Sequence, residues 1–159
     1  MNSLVIYESR YGNTRKVAEA IAAELGKHGE AQMISAEEAP AVVPEQTDLV
    51  VVGGPTEAHR MTEPMTQLFD RTGDGWLDGK AAAAFDTRVR WPRLLSGSAA
   101  AGIVGKLERA GAVVIAPAAS FFVGGKPTLL EPRELEQATA WAASLASKME
   151  SRKPLLTAR

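Results

Sequence analysis

The stretch Ser9-Arg10-Tyr11-Gly12-Asn13-Thr14 gathers two aliphatic hydroxyls, an amide and a glycine into one short turn near the amino terminus. A brief apolar run, Leu4 to Tyr7, precedes it, and Val17, Ile21 and Leu25 follow four residues apart. That pattern reads as a buried strand, a turn and the opening of a helix. Such a junction is an anion site. The first N–H groups of a helix lack intrahelical acceptors, and the helix dipole favours negative charge there. Ser9 and Thr14 add hydroxyl donors, Asn13 adds an amide, and Gly12 lets the main chain come close to a ligand. The chemistry expected of these residues is the holding of a phosphate.

Two further polar stretches leave apolar runs. Gly53-Gly54-Pro55-Thr56-Glu57-Ala58-His59-Arg60-Met61 follows Leu49 to Val52, and Asp86-Thr87-Arg88-Val89-Arg90-Trp91-Pro92-Arg93 follows Ala81 to Phe85 and leads to Gly97. Thr56 offers a hydroxyl. His59 is the histidine of a candidate site, because His28 falls at the end of the first helix, though a loop histidine is more often solvated than catalytic. The second stretch holds Arg88, Arg90 and Arg93 against Asp86, a balance that attracts anions if it faces a ligand. No nucleophile–base–acid set and no cluster with metal-ligand spacing is evident.

The elements that must position these stretches follow from periodicity. Ala31 to Ile34 and Ala112 to Ala116 are further apolar runs, and several runs are apolar on both faces, as parallel strands covered by helices are. Helical patterns span Thr62 to Arg71, with Thr62 as N-cap, then Ser98 to Ala110, and then about Pro132 to Glu150. Ser35 to Glu38 resembles a capping box, but Pro40 and Pro44 leave room for only a turn of helix. The β/α alternation predicts an open, doubly wound, mostly parallel sheet with helices on both faces. Ligands in such sheets bind beyond the carboxyl ends of the strands, where all three polar stretches lie. Gly124-Gly125 reads as a turn flanked by core aromatics, and Trp76 and Trp141 as packing residues.

Bulk properties narrow the field. A chain of 159 residues is expected to form one domain over residues 1–150, with 151–159 a frayed tail. The absence of cysteine removes disulfides, thiolate nucleophiles and iron–sulfur ligation. A net charge of −1 argues against general nucleic-acid binding, and no apolar run is long enough for membrane insertion. With no basic segment and apolar leader at the start, a cytoplasmic protein is expected.

The turn Ser9 to Thr14, flanked by Val5-Ile6-Tyr7 and by Ala18, Ala20 and Ile21, resembles the phosphate loop of the flavodoxin family, where a Thr/Ser-x-Thr-Gly-x-Thr turn holds the FMN phosphate. Tyr11 departs from that pattern, standing where the family usually has a small hydroxyl residue. The resemblance covers the length and element order too, and implies a flavodoxin-like five-stranded parallel sheet of order 2-1-3-4-5. It implies FMN binding and electron transfer to redox partner proteins by a monomer or weak dimer. Ser9, Arg10, Tyr11, Gly12, Asn13 and Thr14 would surround the phosphate. Pro55, Thr56, Glu57 and His59 would run along one face of the flavin ring. Asp86, Thr87, Arg88, Val89, Arg90 and Trp91 would enclose the other, with Trp91 stacked on the ring and the arginines raising its potential. Two other readings share the fold: an FMN-dependent NAD(P)H or quinone reductase whose arginines grip an anionic second substrate, and a flavin-free interaction domain. A P-loop is excluded because no Gly-Lys-Ser/Thr follows the turn, and a dinucleotide fingerprint because G-x-G-x-x-G is missing. A phosphoacceptor receiver lacks its acids and its lysine, since Glu8, Gly53-Gly54 and Pro117 stand at those places.

Overall fold

Two runs free of polar side chains, Leu49–Val52 and Ala81–Phe85, lie at the centre of the sheet in the computed structural model, buried throughout. The structure describes residues 1–157, apart from the side chains of Arg93 and of residues 153–157. The strands are β1 (Asn2–Tyr7), β2 (Glu30–Ser35), β3 (Leu49–Glu57), β4 (Arg60–Met61), β5 (Ala81–Val89), β6 (Val113–Val114), β7 (Ala119–Gly124) and β8 (Leu129–Leu130). The helices are α1 (Asn13–Leu25), α2 (Glu63–Thr72), α3 (Arg93–Ser96), α4 (Ala99–Arg109) and α5 (Glu134–Thr157). Neighbouring strands run β2-β1-β3-β5-β7-β8, with β4 paired to β3 and β6 paired to β5. From β1 the chain winds first to β2 on one side and then back across to β3 on the other, so the order reverses at β1 and β3. This is the flavodoxin-like order 2-1-3-4-5, its fifth strand divided between β6 and β7.

That division corrects one expected element. The last parallel strand was expected at Ala112 to Ala116, yet pairing with β5 breaks after Val114 and resumes at Ala119. Pro117 lies in the gap and has no N–H to give a ladder. A second correction concerns the polar stretches. Pairing of β3 with β5 continues through Gly53↔Phe85, Gly54↔Asp86 and Pro55↔Thr87, so much of both expected loops is strand. A third concerns the last helix, expected to end near Glu150, which runs to Thr157. Residues 158 and 159 of the expected tail lie outside the described residues.

Side chains alternate across the strands, so each sheet face has its own core. Val5, Val51, Ala83 and Phe85 meet Val17 and Ile21 of α1 and Ala142 and Leu145 of α5. Ile6, Val50, Val52, Ala82 and Ala84 meet Met65 and Leu68 of α2 and Ile103 and Leu107 of α4. Phe85, Phe121 and Trp141 form a mutual edge-to-face trio with ring centres 6.1–6.2 Å apart. Each such pair contributes about 0.5–1.5 kcal/mol beyond its area. Trp76 meets Phe69 edge-on and donates to the Pro40 carbonyl, so both tryptophans pack as the sequence suggests.

Capping is divided between two kinds of partner. Ser98 accepts from the Ala101 N–H at the start of α4, as an N-cap should. Thr62 holds the N-cap position of α2, but its hydroxyl donates instead to Glu8 Oε2 at 2.9 Å. Ser35 to Glu38 forms only a turn, and Arg71 Nη2 clamps it through the carbonyls of Ala36 and Ala39.

Candidate functional site

The phosphate turn owes its shape to Gly12, whose φ of 90° is left-handed and admits other residues only with strain. Ser9 Oγ sits inside the turn, accepting from the N–H groups of Gly12 and Arg15 at 3.2 Å each. Those two donors are therefore occupied. The N–H groups of Asn13 and Thr14, the first two residues of α1, have no acceptor among the described residues and open at the carboxyl ends of the strands.

Around this opening lies a solvent-open cleft of about 180 Å³. Arg10, Tyr11, Asn13 and Thr14 line it from the turn, and Pro55, Thr56 and Glu57 from β3. Thr87, Arg88 and Val89 line it from β5. The three stretches singled out in the sequence thus converge on one space. Three lining residues were missed: Ser96 of α3, Val123 of β7 and Thr128 of the β7–β8 turn. Gly124-Gly125 was read as a plain turn, yet the hairpin it opens reaches the cleft, and Thr128 O accepts from Asn13 Nδ2 at 3.0 Å. The signal was an aromatic strand, Phe121-Phe122-Val123, followed by the two glycines.

Within the cleft the polar groups are already partly paired. Thr14 Oγ1 and Thr87 Oγ1 share a hydrogen bond of 2.7 Å, so one of the two hydroxyl protons is left for a ligand. Arg10 Nη1 donates to Glu57 Oε1 at 2.7 Å, joining the turn to the end of β3. Both side chains are solvated, and such a pair adds about 1 kcal/mol at most. Asp86 is fully buried behind the cleft, where Oδ2 accepts from Thr56 Oγ1, Ser98 Oγ and the Ala100 N–H. Its neighbours in the protein, not a ligand, occupy that oxygen.

Several predicted residues stand elsewhere. His59 and Ala58 make the two-residue turn between β3 and β4, with φ of 70° and 44°. His59 does not line the cleft; its main chain supports Gly97, where a Cβ would overlap it. Trp91 is 61% exposed and also outside the lining; its carbonyl accepts from Arg88. The expectation that Arg90 addresses a ring gives way to an ion pair with Glu131 at 2.9 Å, with the guanidinium 4.0 Å from the Phe122 ring centre. The side chain of Arg93 lies outside the described residues. Arg88 alone of the pair Arg88 and Arg90 turns inward.

Glu8 immediately precedes the turn, its main-chain N–H bonded to Gly53 O. Burial holds its carboxyl above the usual carboxylate range, Thr62 opposes this through its hydroxyl bond, and the Glu57 charge reinforces it. The folded protein therefore keeps the Glu8 proton to higher pH than the unfolded chain does. Between the ordinary value of 4.5 and the raised folded value, folding takes up a proton and stability falls as pH rises. Glu8→Gln retains an acceptor for Thr62 and abolishes that loss. Denaturant unfolding is expected to find the variant more stable than the unaltered chain at pH 7, with the difference gone below pH 4.5. An equal difference at both pH values would mean that Glu8 is not the titrating group.

Among the described residues, no three His, Asp or Glu side chains are placed to hold a metal ion, and no helix is long and apolar enough to cross a membrane. The chain is 33% identical over 109 aligned positions to an NAD(P)H dehydrogenase (quinone) of Paraburkholderia phymatum, covering 52% of this chain and 54% of that protein. It is 37% identical over 93 positions to a flavodoxin of Aquifex aeolicus, covering 55% and 50%. The matches thus span about half the length of these curated relatives. A solved flavodoxin from the domain Archaea superposes with a TM-score of 0.76 at 25% identity, over 94% of this chain and 99% of its own. The family model for the flavodoxin domain matches residues 4–89, from the first strand of the phosphate turn to the last cleft residue of β5. With fold, cleft and sequence in agreement over more than half of its length, the chain belongs to the flavodoxin domain family.

Proposed function

We propose that this protein binds FMN in the cleft and serves as a cytoplasmic electron carrier to redox partner proteins. The observation that carries the reading is the meeting of two unpaired N–H groups at the start of α1 with the polar ends of β3 and β5 around one cleft. These features fit the cofactor. A dianionic phosphate suits the N–H groups of Asn13 and Thr14 and the free hydroxyl proton of the Thr14–Thr87 pair. Gly12 presents no Cβ to that space. Pro55, Val89 and Val123 supply the apolar surface that a flat ring needs. FMN, when bound, supplies one- and two-electron transfer, while the protein positions it and tunes its electronics.

Tyr11 takes over the stacking role that the sequence offered to Trp91, because it is the aromatic residue of the cleft lining. FMN added to the purified protein is expected to give a bound flavin spectrum with quenched fluorescence. Tyr11→Ala should weaken binding by about 1 kcal/mol and restore part of the fluorescence, with Trp91→Ala changing both less. A protein that binds no FMN would overturn the reading. A second reading, an FMN-dependent NAD(P)H or quinone reductase, is favoured by the Paraburkholderia phymatum relative. Steady-state oxidation of NAD(P)H with a quinone and no added reductase would establish it in place of the carrier.

A further inference from the structure

Arg88 is the buried cation of the cleft, only 8% exposed, and no carboxylate among the described residues forms an ion pair with it. Its acceptors are neutral. Nε donates to Ser120 Oγ, and Nη1 donates to Ser96 Oγ and to the Trp91 carbonyl, each at 3.0 Å. The guanidinium lies 5.0 Å from the Phe122 ring centre. Nη2 has no acceptor among the described residues, and Arg88 lines the cleft. Three bonds and an aromatic face therefore fix the group, while the two N–H donors of Nη2 and the positive charge remain for whatever enters.

The strand decides which part of a ligand meets that charge. Consecutive residues of β5 point to opposite faces of the sheet. Thr87 turns to the α1 face and pairs with Thr14 at the phosphate turn. Arg88 turns to the other face, towards Ser96 of α3 and Ser120 of β7. The anion held by α1 and the group met by Arg88 are accordingly two different groups of one ligand. The nearby charges leave that division intact. Arg10 and Glu57 neutralise each other, and the Oδ2 of Asp86 is held by three donors.

Resting on the FMN reading above, we infer that Arg88 is a redox-setting residue, whose charge favours the reduced, anionic flavin over the oxidised, neutral ring. Two electrons from an external reductant, such as dithionite, and one proton from water leave the ring with one negative charge. Nη2 and the guanidinium charge stabilise that product and leave the neutral ring nearly unaffected. Because the site is desolvated, the attraction is screened less than at a surface. Of Arg88 and Arg90, the first acts on the ring, and Arg90, bound to Glu131, takes no part.

The test is a redox titration of the FMN-loaded protein beside a titration of the apoprotein with oxidised FMN. Arg88→Gln is expected to lower the affinity for reduced relative to oxidised FMN about tenfold, a fall of about 30 mV for the two-electron couple. Arg88→Lys, which keeps the charge, should show less than half of that fall, and Arg90→Gln should show none. Because Arg88 is buried, circular dichroism and thermal melting of each variant accompany the titration, and the neutral Arg88→Met serves if Arg88→Gln does not fold. Bound FMN with an unmoved potential in a folded, uncharged Arg88 variant would overturn this inference alone. So would equal loss of affinity for both redox states, which would make Arg88 a uniform binding group. Failure of the unaltered chain to bind FMN would overturn the functional reading and this inference with it.

Discussion

Riboflavin is expected to bind this protein about a hundredfold or more weakly than FMN, because charge-assisted hydrogen bonds contribute roughly 1.5–3 kcal/mol each and the phosphate has at least two to make. Its donors are the N–H groups of Asn13 and Thr14 and one hydroxyl proton of the Thr14–Thr87 pair. The pairing shapes the mutational response. Thr14→Val leaves the Thr87 hydroxyl free to turn to the phosphate, and Thr87→Val leaves that of Thr14. Each single change should therefore cost FMN only a few-fold, whereas the double change removes the proton altogether and costs about tenfold or more. Riboflavin affinity should hold steady throughout. Fluorescence or calorimetric titration with both ligands checks this, and equal losses for the two would place the phosphate elsewhere.

Asp86→Ala should destabilise the fold by about 3 kcal/mol, since each buried donor left without an acceptor costs about 1–3 kcal/mol and the relief of a desolvated charge returns only part. Asp86 Oδ2 gathers Thr56 Oγ1 from β3, Ser98 Oγ at the start of α4 and the Ala100 N–H within it. Thr56 Oγ1 in turn accepts from the Ala99 N–H at 2.8 Å. One carboxylate oxygen thereby ties two central strands to the helix beneath the cleft. For a chain of this size the loss corresponds to a fall in Tm of roughly 6–12 °C. Asp86→Asn keeps an oxygen at the same place and should lose less than half as much. A melting point unchanged in Asp86→Ala would show that the strands and α4 hold together without this carboxylate.

The sequence by itself determined the parts that rest on short-range physics. An apolar run, a glycine-bearing turn and a 3.6-residue periodicity are local, so β1, the phosphate turn and α1 were legible from residues 4–25. The strand–helix alternation then left few topologies open, and the doubly wound order followed. The family resemblance added the identity of the anion. What lay beyond reach depended on partners distant in the chain. Polar residues such as Thr56, Asp86 and Thr87 read as loop by composition, but pairing of β3 with β4 and β5 makes them strand, with the two threonine hydroxyls and one Asp86 oxygen bonded between strands or at helix starts. The β7–β8 hairpin entered the cleft because Asn13 reaches Thr128, 115 positions away. Arg88 and Arg90 are alike in sequence and two residues apart, yet Ser120 and Ser96 draw one inside while Glu131 holds the other at the surface. Residue type set which charges this protein carries, and only packing decided which of them faces the ligand.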